Sequence, residues 1–92
     1  MKTIYKYKLE VKDDQSIMLP DGAKVLTVQA QHGEPCVWAE VDPEQTFTTF
    51  RRFVTVGTGR HPIADIDTLR YVGTYQLVNG SFIGHVYVDR IS

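Results

Sequence analysis

The sequence predicts a mostly β fold: a single β domain over residues 1–92, built as a small antiparallel β-sandwich or partly open barrel of about seven strands with at most one short helical turn. Three observations predict it. Polar and apolar residues alternate with period two along several short runs, the pattern of strands with one buried face. Turn-forming residues punctuate those runs at close spacing, as in sandwiches and small barrels. No segment holds a helical period for longer than about two turns.

Over residues 3–11, Tyr5, Tyr7, Leu9 and Val11 share one face and Lys6, Lys8 and Glu10 the other, until Asp13-Asp14 breaks the run. A short strand over 15–19 follows, and Pro20-Asp21-Gly22 supplies a turn, proline pre-setting φ and glycine taking the left-handed position. These pieces are expected to form a first hairpin. Residues 24–31 alternate again, with Leu26, Val28 and Ala30 against Thr27, Gln29 and Gln31. His32-Gly33-Glu34-Pro35 turns the chain into 36–41, where Val37, Ala39 and Val41 oppose Cys36, Trp38 and Glu40, completing a second hairpin. After the polar break Asp42-Pro43-Glu44-Gln45, residues 46–56 are rich in Thr, Phe and Val, which suit a pleated, half-buried surface. Ala64 to Arg70 is the one segment fit for a helical turn, and it is too short to stand alone. The runs 71–78 and 82–89 flank Asn79-Gly80-Ser81, and Asn-Gly between two β-like runs is a strong hairpin signal.

Composition narrows the function classes. With 42% hydrophobic and 23% charged residues, the chain is that of a folded globular domain. So small a core leaves much surface exposed unless subunits associate, and a homo-oligomer is expected. A net charge of −1 argues against duplex nucleic-acid binding driven by counterion release. The single Cys36 excludes an intramolecular disulfide and cannot alone make a thiolate metal site, which points to a reducing cytoplasm. No apolar run approaches the roughly 20 residues of a membrane span, and Met1 to Lys6 lacks the apolar stretch of a signal peptide. Neither export nor membrane embedding is expected.

The stretch Val56-Gly57-Thr58-Gly59-Arg60-His61-Pro62 crowds two glycines, a guanidinium, an imidazole and a proline between two β-like segments. Glycines let backbone approach a ligand closely, and Arg60 and His61 place directional donors beside it. That is the composition of a binding loop.

A wider array carries a resemblance. Thr3-Ile4-Tyr5-Lys6-Tyr7-Lys8-Leu9, the run from Gly22 to Gln31, Trp38-Ala39-Glu40-Val41-Asp42-Pro43, Gly57-Thr58-Gly59 with His61-Pro62-Ile63, Tyr71-Val72-Gly73-Thr74-Tyr75-Gln76-Leu77 and Gly84-His85-Val86 stand in this order. Together they resemble a family of small phage-encoded β-rich proteins, mostly of unknown function. The family pattern has His directly after the second glycine, whereas this chain interposes Arg60 and so adds a cation. Proteins of this size and build are similar to the viral sponges that sequester cyclic-nucleotide immune signals, of the anti-CBASS or anti-Thoeris kind. The resemblance implies a protein of the infected host's cytoplasm that binds a cyclic nucleotide without cleaving it; the alternative is a small phage structural or interaction module that inhibits or scaffolds a partner.

A cyclic dinucleotide presents anionic phosphates and planar bases, so its binder needs guanidinium or backbone N–H donors and aromatic faces. Candidate ligand-binding residues are Gly57, Thr58, Gly59, Arg60 and His61, with Arg51, Trp38, Tyr75 and His85. Arg52, Phe82 and Tyr87 are further donors or stacking faces, although Arg51 and Arg52, adjacent on a strand, must point to opposite faces. Each has a structural alternative: turn glycines, a solvated edge arginine, a core tryptophan, a hydrogen-bonded histidine. Neither cofactor nor metal is expected, since His32, His61 and His85 lack zinc-motif spacing. No enzyme is expected either. His61-Pro62-Ile63 and His85-Val86-Tyr87 do not fit the paired His-x-Thr or His-x-Ser elements of two-histidine phosphoesterases. Ser16, Ser81 and Ser92 sit in no nucleophile motif, and Asp65 and Asp67 fall in the expected helical turn.

Overall fold

The computed structural model describes residues 1–90; Ile91 and Ser92 lie outside the described residues. Seven strands form two antiparallel sheets: β1 (Thr3–Lys8), β2 (Asp14–Pro20), β3 (Lys24–Gln31), β4 (Glu34–Val41), β5 (Thr48–Gly57), β6 (Leu69–Leu77) and β7 (Phe82–Asp89). A three-stranded sheet runs β1-β4-β3 and a four-stranded sheet β2-β5-β7-β6. The core lies between them, with Val37, Ala39 and Val41 of β4 facing Phe53 of β5 and Val86 and Val88 of β7, closed by Leu9 and Leu19. Burying a side chain of this size contributes roughly 1.5–3 kcal/mol.

The sheets meet along one side, where β3 lies against β6. There a Cβ on Gly73 would stand 3.0 Å from Val28 Cγ1, and the Arg70 guanidinium donates to the Val25 carbonyl at 2.9 Å. A side chain here would require Val28 to give by a few tenths of an ångström. Both strands are bulged at this seam, β3 between Val25 and Thr27 and β6 between Tyr71 and Gly73. A bulge shifts the inward phase. Val25 and Val28 are therefore the buried residues of β3 while Leu26 is exposed, a correction to the simple alternation of 24–31.

The second hairpin forms as the sequence implies. Gln31 pairs with Glu34 across a two-residue loop, with His32 at φ 53° and Gly33 at φ 79°, so β4 begins two residues before Cys36. The first hairpin does not form. β1 pairs with β4, and β2 pairs with β5. Between β1 and β2, Gln15 closes the link from inside, accepting from Glu10 N at 2.9 Å and donating to Glu10 O at 2.8 Å. At the other end of β2, Ala23 N donates to Pro20 O, with Gly22 at φ 81°, and this turn carries the chain from one sheet to the other. Two 3-10 turns appear where one helical turn is expected: Ile66–Thr68, capped by the Asp65 carboxylate on Asp67 N, and Val78–Gly80 in the β6–β7 loop. That loop has four residues, because Leu77 pairs with Phe82.

Candidate functional site

One end of the four-stranded sheet opens into a cleft of about 690 Å³. Three pieces of chain build it: Thr55 to His61 at the end of β5, Gly80 to Ile83 at the start of β7, and Asp13 before β2. Thr55 N donates to Asp13 O at 3.0 Å and fixes the third piece to the first. Gly57 to Arg60 is a β-turn closed by Arg60 N on Gly57 O at 2.9 Å, and Gly59 supplies its positive φ of 79°. The turn sets Arg60 over Gly57, whose Cβ, if it had one, would lie 3.2 Å from Arg60 Cγ.

The predicted loop is thus the wall of the cleft. Gly57, Thr58, Arg60 and His61 line it and Gly59 shapes it. Among the described residues Arg60 has no carboxylate within ion-pair distance, in contrast to Arg51 and Arg52. Asp13 is the one carboxylate in the lining and Phe82 its one aromatic.

The remaining expected ligand residues fall elsewhere. Arg51 sits six residues back along β5, about 20 Å at strand rise. It is buried, its Nε donating to Asp89 Oδ1 at 2.6 Å, Nη1 to Ala23 O and Nη2 to Asp89 O. Asp89 Oδ2 also accepts from Arg52 N at 2.8 Å, so this carboxylate joins β5 to the end of β7 and Arg51 is a structural residue. Arg52 points the other way and pairs with Asp14 through both Nε and Nη2 at 2.9 Å; the hydrogen bond holds the Asp14 carboxyl below its ordinary pKa. Trp38 lies half-buried on β4 between Lys6 and Thr27, in the three-stranded sheet, away from the cleft. Tyr75 is no stacking face. Its partner in the ladder is Gly84, and its ring is buried with a centroid 6.0 Å from that of Phe82, so burial pushes its phenol pKa up. Tyr87 is on the outer face, edge-on to Tyr71 at 5.4 Å.

Two buried hydroxyls, Thr55 Oγ1 and Tyr75 Oη, have no hydrogen-bond partner among the described residues. They flank one glycine: a Cβ on Gly84 would lie 2.9 Å from Tyr75 Cζ and 3.0 Å from Thr55 Cγ2. Thr55 also lines the cleft, so the cleft adjoins the tight packing around Gly84.

His85 touches the site from the sheet's outer face. Its Nε2 is 2.7 Å from Thr58 Oγ1, its Nδ1 is 2.9 Å from Thr74 Oγ1, and Thr74 Oγ1 is bonded to the Tyr71 hydroxyl. Sequence reasoning misses this Thr58–His85–Thr74–Tyr71 chain because it depends on register. The four-residue loop sets Thr74 opposite His85, whereas the Asn79-Gly80-Ser81 signal points to a loop one residue shorter. Hydroxyl to imidazole at 2.7 Å is also the spacing of a nucleophile and its base, but here the second ring nitrogen meets a neutral hydroxyl instead of a carboxylate. The chain fixes Thr58 and, through it, the Gly57–Arg60 turn. Among the described residues no three His, Cys, Asp or Glu side chains gather as a metal site, and no helix is long and apolar enough to cross a membrane.

Fold and site together define a small antiparallel β-sandwich with a polar cleft at one sheet end. The chain belongs to a domain family of unknown function, DUF7352, whose sequence profile matches residues 1–91. No curated protein and no solved structure matches it.

Proposed function

We propose that this protein is a phage-encoded immune-evasion factor that binds a small anionic nucleotide, of the cyclic-nucleotide signal class, in the cleft beside the Gly57–His61 turn and sequesters it uncleaved in the host cytoplasm. The observation that carries this reading is Arg60: a cation without an ion-pair partner among the described residues, set by a closed turn in the wall of the cleft. A guanidinium so placed takes a phosphate with charge-assisted hydrogen bonds. The other lining groups suit the rest of a nucleotide, Phe82 offering a face to a base and Asp13 accepting from a base N–H or a ribose hydroxyl. A volume of about 690 Å³ lies within the range of small-molecule sites. Binding without turnover fits the His85 chain, in which no carboxylate stands ready to stabilise an imidazolium. A tight binder in excess lowers a free signal by mass action alone.

A second reading, an interaction module that inhibits or scaffolds a partner protein, is favoured by one observation. Phe47 and Phe50 are 73% and 62% exposed, and Met18, directly across from Phe50, is 49% exposed. Such a patch commonly marks a protein contact.

The test is to mix purified protein with a panel of cyclic mono-, di- and trinucleotides, isolate complexes, denature them and identify what is released. Intact nucleotide is the expected product. Released linear product would make the protein an enzyme, and no complex with any member would overturn the nucleotide reading in favour of the second.

A further inference from the structure

We propose that β1 is the edge through which two copies of this chain join, antiparallel strand to strand, into a dimer with one continuous six-stranded sheet. The proposal stands independently of the nucleotide reading. Two sheets have four edges, and three are protected. β3 and β6 cover one another at the Gly73–Val28 contact and through the Arg70 bond to Val25 O. β2 ends in a proline and is flanked by Lys12 and Asp13, with Asp14 tied to Arg52. Proline and charge are common guards of an open edge.

β1 has no such proline, and its charges are engaged with its own sheet. It pairs only with β4, has no bulge and no proline, and its two lysines lean back across their own sheet, Lys6 to Gln31 and Lys8 to Glu34. The free edge thus presents unpaired backbone groups flanked by Ile4, 54% exposed, and Tyr5, 45% exposed. Tyr5 is the telling residue. It pairs with the fully buried Ala39 and shares its face, yet nearly half of it meets solvent, so the core-facing side of β1 is covered at Tyr7 but open at Tyr5.

The strand is self-complementary in one register. Antiparallel pairing about a two-fold axis must match faces, so opposed residue numbers sum to an even value. A sum of 12 sets Lys6 against Lys6, and a sum of 8 sets Lys2 against Lys6; like charges directly opposed are destabilising. A sum of 10 sets Tyr5 on Tyr5, Ile4 on Lys6 and Thr3 on Tyr7; it opposes Lys2 and Lys8 only at the strand ends, where among the described residues each already has a carboxylate, Glu40 and Glu34, whereas Lys6 has none. It covers the exposed Tyr5 rings with each other and lays each lysine stem along an isoleucine.

The test is sedimentation equilibrium of the full chain over a wide concentration range. The expected species has twice the 10.5 kDa chain mass. Ile4→Lys, opposed to Lys6 in two symmetric places, should raise the dimer dissociation constant roughly tenfold, and Ile4→Lys with Lys6→Glu should restore it. Tyr5→Lys should also dissociate the dimer, with an unchanged circular dichroism spectrum showing that the fold is intact. A monomer at millimolar concentration, or a dimer indifferent to Ile4→Lys and Tyr5→Lys, would overturn the proposal.

Discussion

Replacing Asp89 with alanine should cost this domain a large part of its stability. The Arg51 side chain is 5% exposed and its Nε lies 2.6 Å from Asp89 Oδ1, while the other carboxylate oxygen accepts the Arg52 N–H. Removing the carboxylate leaves a buried guanidinium without its counter-charge and a mid-strand N–H of β5 without its acceptor. Breaking a buried pair from one side costs about 3–5 kcal/mol. Against a total of roughly 5–15 kcal/mol for a domain, that is severe. At about 4–8 °C per kcal/mol for a chain of this size, the melting temperature should fall by at least about 12 °C. Urea unfolding followed by Trp38 fluorescence and circular dichroism measures it, with an unchanged slope showing that the same surface is exposed. The double variant Arg51→Met with Asp89→Leu removes both charges together and should cost less than Asp89→Ala alone, since no ion is stranded. A loss below about 1 kcal/mol for Asp89→Ala, the value of a solvated surface pair, would refute the structural role of Arg51.

Three further outcomes follow from the geometry. Gly84→Ala forces a Cβ to 2.9 Å from the Tyr75 ring and 3.0 Å from the Thr55 methyl, and overpacking of this kind costs about 1–3 kcal/mol; an unmoved urea midpoint would contradict it. Thr55→Val replaces a buried hydroxyl without a partner by a methyl of the same shape and should leave stability equal or higher, whereas a loss above about 1 kcal/mol would mean that Oγ1 has a partner. The Asp14 carboxyl titrates below its ordinary value because Arg52 is hydrogen-bonded to it. Its folded pKa is depressed, so its contribution is complete above the unfolded value and is lost as pH falls through the folded one. The small stability gap between wild type and Asp14→Asn should therefore close on acidification from about pH 5 to pH 2; a gap constant with pH would rule out the pairing.

Local features were legible in the sequence and long-range ones were not, for physical reasons that individual residues show. The His32–Gly33 hairpin is readable because a two-residue loop needs two left-handed residues, and the Gly57–Arg60 turn because Gly59 must adopt φ 79°. Period-two alternation marks the strands at 3–11, 24–31 and 36–41, since a strand with one buried face repeats at that interval, and β propensity and the Asn-Gly turn mark those at 46–56, 71–78 and 82–89. Alternation carries no information on partners, so the pairing of β1 with β4 and β2 with β5 stayed hidden. Arg51 illustrates the same limit: within its own strand it resembles a solvated charge, and its counter-ion lies 38 residues away. The His85 chain was obscured by one residue of register, because the β6–β7 loop places Val78, a β-branched residue, at φ 50°. Where the cleft forms was foreseeable from Arg60 and its glycines; that Trp38 and Tyr75 would turn away from it was not, because each follows from sheet order and face.

In the function proposed, the Gly57–His61 turn, through Arg60, is the anion-binding wall of the cleft. Titration of isotopically labelled protein with each cyclic nucleotide, followed by amide NMR for wild type and Arg60→Ala, tests it most directly. Shifts should concentrate at Gly57 to His61 and Ser81 to Ile83, with affinity falling roughly 10- to 100-fold in Arg60→Ala, the worth of one charge-assisted hydrogen bond. Shifts centred on Trp38 or Phe50, equal affinity in the variant, or no shift with any nucleotide would contradict it.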